Sequence, residues 1–184
     1  MGENIKNILL TGTSGFLGTH MRKHLYGCPN QWRILSINSR DEFENFEEKF
    51  ANQKIDIIIH AGFSVDFQES NTDDPAKNIE NTRRVLKFSE ERGASYAIFL
   101  SAAGTLGVSK NSRIRNEGHF GKTDPDFIDY LNTQYIQDKI ACQKIVDDLP
   151  FPAVTLYLTT VYGPSMDANV MGGLKGICGI NPVV

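Results

Sequence analysis

Tyr135 and Lys139 set the chemistry that this sequence is equipped to attempt. They lie four residues apart in Tyr135-Ile-Gln-Asp-Lys139. On a helix that spacing puts both side chains on one face. A phenol has an ordinary pKa near 10 and is almost wholly protonated at neutral pH. A neighbouring ammonium favours the phenolate. Bringing the phenol to about 7 takes about 3 units, or roughly 4 kcal/mol. A tyrosine poised in this way trades a proton with a substrate hydroxyl. The spacing alone occurs by chance in many helices, so it needs company.

The company is a glycine-rich turn. Residues 8–18 read ILLTGTSGFLG, with Gly12, Gly15 and Gly18 three apart, directly after an apolar strand and directly before a helix. A tight turn lets backbone N–H groups approach a pyrophosphate, where a Cβ would obstruct. The helix that follows points the positive end of its dipole at the anion. Gly18 lets that helix pack close to the sheet. Gly12, Ser14, Gly15, Phe16, Leu17 and Gly18 are therefore candidate contacts for a dinucleotide. A nicotinamide dinucleotide supplies the hydride chemistry that a proton-trading tyrosine complements.

The residues after the second strand bear on which dinucleotide, NADP or NAD. An acid there holds the 2′-hydroxyl of an unphosphorylated adenosine ribose. Here the stretch is Asn38-Ser39-Arg40. No carboxylate stands at that place to repel a 2′-phosphate, and Arg40 can grip one through a charge-assisted fork. NADP is slightly favoured. Asp41 and Glu42 lie just beyond and weaken the preference.

Elements that position these groups follow from periodicity. Residues 5–10, 33–37, 55–60, 95–101 and 153–158 are short apolar runs and read as buried strands. Residues 16–26, 41–52, 75–92 and 127–149 read as helices. Phe43, Phe46 and Phe50 share one helical face and belong to a core. Pro75 and Gly93 bracket the third helix. Continuous apolar strands alternating with amphipathic helices predict an α/β fold, a doubly wound parallel sheet covered on both faces. Residues 104–126 are polar and read as a long loop at a strand's carboxyl end. The stretch MGGLKGICGINPVV has no clear period.

The 184 residues fit a single domain, 1–184, with a real core. Hydrophobic residues make up 40% and charged residues 22%, as in a globular protein. A net charge of −3 with scattered Lys and Arg argues against a nucleic-acid surface. Cys28, Cys142 and Cys178 show no zinc spacing and read as reduced thiols, so no metal is expected and the location is cytoplasmic. The first residues show no signal-peptide pattern and the sequence no membrane-length apolar run, so neither a secretory leader nor a membrane span is expected.

With these motifs in hand, the chain resembles the extended short-chain dehydrogenase/reductase family, the NAD-dependent epimerases and dehydratases that modify nucleotide-linked sugars. TGTSGFLG is similar to the family's cofactor turn. Ile59-His60-Ala61-Gly62 resembles the strand end beside the cofactor. Asn78-Ile-Glu-Asn-Thr82 resembles the start of the next helix, and Tyr135 to Lys139 the catalytic YxxxK pair. Val161-Tyr162-Gly163-Pro164 resembles the turn after a later strand. The resemblance covers about residues 5–165. It implies a Rossmann-type fold, with His60, Ala61, Gly62 and Leu158 on the cofactor side. It implies that Tyr135 is the acid/base and a cofactor contact, and that Lys139 also binds the nicotinamide ribose. A nucleotide-sugar substrate and a possible homodimer through the YxxxK helix follow from it too.

Two departures stand out. The family places a catalytic Ser or Thr five residues before the Gly of a Tyr-Gly pair. Here the stretch is Ser101-Ala102-Ala103-Gly-Thr105-Leu106-Gly107, so that position is Ala102. Ser101, one residue early, is the candidate for the catalytic hydroxyl and a candidate cofactor contact; otherwise the hydroxyl is missing. The chain also ends soon after the VYGP turn, so the substrate domain is expected to be largely absent. Two functions stay open: a nucleotide-sugar epimerase, dehydratase or reductase, and a catalytically impaired or truncated dinucleotide-binding module.

Overall fold

The fold is given by a computed structural model that describes residues 5–28, 31–38, 40–63, 75–106, 134–159, 161 and 163. Among these residues, strands and helices alternate. They run β1 (Lys6–Thr11), α1 (Phe16–Tyr26), β2 (Trp32–Ile37), α2 (Arg40–Lys49), β3 (Ile57–His60), α3 (Pro75–Glu91), β4 (Tyr96–Ala102), α4 (Gln134–Asp147) and β5 (Ala153–Leu158). One turn of 3-10 helix, Ala103–Leu106, follows β4 directly.

The strands form one parallel sheet in the order β2-β1-β3-β4-β5. Its direction of travel reverses at β1. Such a reversal leaves a crevice at the carboxyl ends of the strands, where ligands bind in open α/β sheets. β1 and β3 frame this crevice, with Thr11 facing His60 in register.

Alternation along the strands sorts the two cores. Leu9, Ile58, Ala97 and Phe99 face one way and pack with Phe46, Val85, Leu86, Cys142 and Val146. Ile8, Leu10 and Ile59 face the other way and meet Met21, Leu25 and Ile98. So α1 covers one face, and α2, α3 and α4 cover the other. The cover is incomplete at the β5 edge, where Val154 and Leu156 are exposed. The expected Phe43, Phe46 and Phe50 stripe does face the core, with Phe50 just past the end of α2.

The Rossmann-type sheet expected from the alternating periods is the one that forms, with differences at element ends. β3 is shorter than the apolar run 55–60 suggests. The Ile55 N–H bonds the Arg92 carbonyl at 3.1 Å. The Asp56 carboxylate takes the Asn7 N–H at 2.9 Å. Those two bonds occupy the start of the run before the regular ladder begins. α4 is described from Gln134, so the expected start at 127 lies outside the described residues, as does the loop beyond Leu106.

Candidate active site

The cofactor turn is built around what two of its glycines must avoid. Gly12 has φ of 72°, a left-handed conformation that side chains rarely adopt. A Cβ there would lie 2.7 Å from the backbone of Ala61 and Gly62. At Gly18 it would lie 2.0 Å from the Gly12 carbonyl oxygen. Gly15 differs. Its φ of −74° suits any residue. Among the described residues, a Cβ there would meet only the Gly12 oxygen, at an ordinary 3.4 Å. Packing of the described residues therefore explains two glycines and leaves the third open to a ligand's approach. Gly15 caps α1 without a side-chain hydrogen bond, and the first turn of α1 carries no acid. Among the described residues, no side-chain cap or first-turn acid compensates the positive end of that helix, which suits it to an anion. Ser14 and Gly15 are exposed, and Phe16 and Leu17 half-buried, around it.

β3 is locked to this turn by one hydroxyl. Thr11 Oγ1 accepts the N–H of Ala61 at 3.1 Å and of Gly62 at 2.8 Å. Its own proton is then directed at His60 Nδ1, 2.8 Å away. His60 Nε2 carries the remaining ring proton to Thr82 Oγ1 at 2.9 Å. Thr82 donates in turn to the Asn78 carbonyl at 2.8 Å, and Cys142 Sγ lies 3.2 Å from the same hydroxyl. Burial, helped by the charge of Lys139, lowers the His60 pKa to about 3. His60 is therefore a neutral strut joining the cofactor turn to α3 and α4.

At the end of β2, Thr13 Oγ1 donates to the Ile37 carbonyl at 3.2 Å and lies against the Asn38 side-chain oxygen. Glu42 reaches back from α2. Its carboxylate takes the Asn38 N–H at 2.5 Å and faces the Asn38 amide at 3.4 Å. The Asn38 backbone bond, with Lys49 at 3.2 Å, holds the Glu42 carboxyl below its usual pKa. Arg40 opens α2; its side chain and Ser39 lie outside the described residues.

Tyr135 and Lys139 sit one turn apart on α4, above the end of β4. Lys139 is buried and donates to the Leu100 carbonyl at 2.8 Å. Its ammonium lies 3.9 Å from the Phe63 ring centroid, 5.2 Å from that of Phe99 and 6.0 Å from that of Tyr135. Burial lowers the Lys139 pKa to about 8. β4 stays extended through Ala102, so Ser101 and Ala102 point to opposite faces. Ser101 shares the α4 side with Ala97 and Phe99, and Ala102, the last residue of the strand, reaches the Tyr135 side only across the strand's carboxyl end. It is 4% exposed, and its Oγ has no hydrogen-bond partner among the described residues. Ala102 is half-buried, opposite Leu158 in register. A Cβ at Gly163 would lie 3.2 Å from the Phe16 ring, so Gly163 packs closely against the glycine-rich turn. Tyr162 and Pro164 lie outside the described residues.

These elements agree with the family comparison. The model of the NAD dependent epimerase/dehydratase family matches residues 8–175. The chain belongs to that family. Solved structures with the same fold include WbmG of Bordetella bronchiseptica in complex with NAD, at 18% identity and a TM-score of 0.68. RMD of Pseudomonas aeruginosa complexed with NADPH matches at 18% and 0.69. UDP-glucose 4-epimerase of Thermotoga maritima with UDP-glucose matches at 19% and 0.62. The match covers 96%, 92% and 88% of this family member, and 61%, 57% and 58% of the three structures respectively. The chain thus spans less than two thirds of each. No curated protein sequence matches it.

Sequence reasoning passed over Phe63, Thr11 and the pairing of Thr82 with His60. Thr11 and Thr82 stood inside quoted motifs. Their work is visible only once β1, β3 and α3 are side by side. Phe63 carried no signal, because one aromatic after a glycine is unremarkable in a string.

Proposed function

We propose that this epimerase/dehydratase family member binds a nicotinamide dinucleotide across the crevice at β1 and β3 and acts on a nucleotide-linked sugar. The observation that carries the binding is Gly15: among the described residues no atom requires its missing Cβ, and it opens the positive end of α1. The solved relatives, crystallised with NAD, NADPH and UDP-glucose, support the class of ligand. A bound nicotinamide accepts or returns hydride. The residues of this chain then have separate tasks. The α1 amino terminus holds phosphate, Lys139 holds ribose and stabilises a phenolate, and Tyr135 moves the substrate's proton. Direct titration with NADH and NADPH tests the reading; absence of binding to either overturns it.

NADP(H) is favoured modestly over NAD(H). Arg40 supplies a positive charge just past β2. The Glu42 carboxylate, folded onto Asn38, opposes a 2′-phosphate and keeps the preference small. Arg40→Ala is expected to abolish the preference. Glu42→Gln keeps the bond to the Asn38 N–H and removes the charge, so it should tighten NADPH roughly threefold to tenfold and leave NADH unchanged, as one screened charge is worth about 1 kcal/mol. A wild-type ratio favouring NADH counts against Arg40.

A second reading, a dinucleotide-binding module with little turnover, is favoured by Ala102. A positioned hydroxyl at that place aligns the reacting oxygen, and losing one such donor costs roughly two to four kcal/mol. Ser101 lies on the α4 side but is too deeply buried for a substrate oxygen to reach. Ala102→Ser is therefore expected to raise turnover about tenfold or more, and Ser101→Ala to change it little. A dead Ser101→Ala variant would reverse that assignment and make Ser101 the catalytic hydroxyl.

Among the described residues, no helix is long and apolar enough to cross a membrane. No group of three or more His, Cys, Asp or Glu gathers there as a metal site. A cytoplasmic homodimer paired through α4 is part of the proposal and rests on the family resemblance.

A further inference from the structure

We propose that Phe63 is a positioning residue for the Tyr135–Lys139 pair: its ring face holds the lysine ammonium on the Leu100 carbonyl, and the tyrosine ring packs against it edge-to-face. The inference rests on reading Tyr135 and Lys139 as the proton-handling pair.

Phe63 follows Gly62 at the exit of β3, so the same backbone that Thr11 locks to the cofactor turn delivers the ring. The Lys139 ammonium lies 3.9 Å from the Phe63 centroid, closer than to the ring of Phe99 or Tyr135. Phe63 and Tyr135 meet at 5.6 Å between centroids with planes at 90°. One aromatic ring therefore touches both members of the pair.

An ammonium has three N–H donors. Among the described residues, Lys139 gives one to Leu100, and no carboxylate pairs with it. Burial favours loss of its proton. The negative face of an aromatic ring offsets that penalty and does so most when the cation is desolvated. Among the described residues, other titratable groups around the ammonium are few. Asp138 and Cys142 lie on its own helix. His60 faces it from β3 and is neutral. Arg83 on α3 acts on Cys142 beyond. Tyr135 is the group whose proton the pair handles. Among the described residues, Phe63 is thus the nearest neutral ring to the ammonium, and its removal takes away cation stabilisation without changing a charge.

The test reads Lys139 directly and needs no turnover. Side-chain NMR of isotope-labelled lysine follows the Lys139 titration in the full chain, its signal assigned by loss in Lys139→Met. Phe63→Leu keeps the site apolar and removes the ring face. The Lys139 midpoint is expected to fall by about one pH unit, while Phe63→Tyr keeps it. Replacing Phe63 with mono-, tri- and pentafluorophenylalanine weakens the ring face at nearly constant size, and the midpoint should fall stepwise along that series. This series decides the matter if Phe63→Leu fails to fold. An unchanged midpoint across the fluorinated series overturns the proposal. Turnover insensitive to Tyr135→Phe would overturn the underlying reading instead, and leave the Lys139 titration to judge Phe63 separately.

Discussion

Gly15→Val is expected to weaken dinucleotide binding about a hundredfold while leaving the fold intact. The two halves of that result have different physical sources. Valine adopts a φ of −74° readily, and the first atom it adds meets the Gly12 oxygen at 3.4 Å. Stability should therefore drop by only about 1 kcal/mol, for replacing glycine with a poorer helix cap. Binding is another matter. The added branches stand in front of the α1 amino terminus, where a pyrophosphate must come within hydrogen-bond distance of backbone N–H groups. Losing two bonds to a charged group costs about 3 kcal/mol, or about a hundredfold in affinity. Gly12→Ala and Gly18→Ala are the controls. Their new atoms would lie 2.7 and 2.0 Å from backbone, so those variants should melt at lower temperature before any effect on binding is considered. Titration of Gly15→Val with NADH and NADPH, beside a thermal melt, separates the outcomes. Wild-type affinity in Gly15→Val would remove the turn from the binding site.

How far the sequence carries can be judged from the same turn. Strand, turn and helix were legible because their apolar period changes sharply at Gly12 and again at Phe16. The faces of β4 were legible as well, since alternation is a property of any strand and here continues through Ala102. The roles of the three glycines were not separable, because a string does not say which missing Cβ faces protein and which faces solvent. Glu42 shows a similar limit. It stands four residues after Asn38 in a helix, and only the fold brings its carboxylate back to the Asn38 N–H. His60 read as a strand-end residue near the cofactor. That both its nitrogens are engaged, by Thr11 and Thr82, depends on partners 49 and 22 residues away in the chain. Contacts of that range leave no local signature.

Tyr135→Phe is expected to lower turnover by roughly a hundredfold or more while cofactor affinity stays near wild type. The substitution removes one oxygen and keeps the ring, so the edge-to-face contact with Phe63 survives and α4 has no packing reason to move. A fall in rate then reports the lost proton path. Lys139 supplies the other half of the argument. With its pKa lowered to about 8 by burial, it is still mostly ammonium at neutral pH and supports a neighbouring phenolate. Above that pH its charge and its support are lost together. Lys139→Met should consequently weaken both turnover and cofactor binding, whereas Tyr135→Phe should weaken turnover alone. Because Ala102 limits the wild-type rate on the present reading, the comparison is best made in the Ala102→Ser background, with proton-coupled oxidation or reduction of the bound cofactor by a nucleotide-linked sugar as the measured signal. Equal rates with Tyr and Phe at position 135 would take the phenol out of the mechanism. Loss of cofactor binding in Tyr135→Phe would make the residue a ligand contact instead of the acid/base.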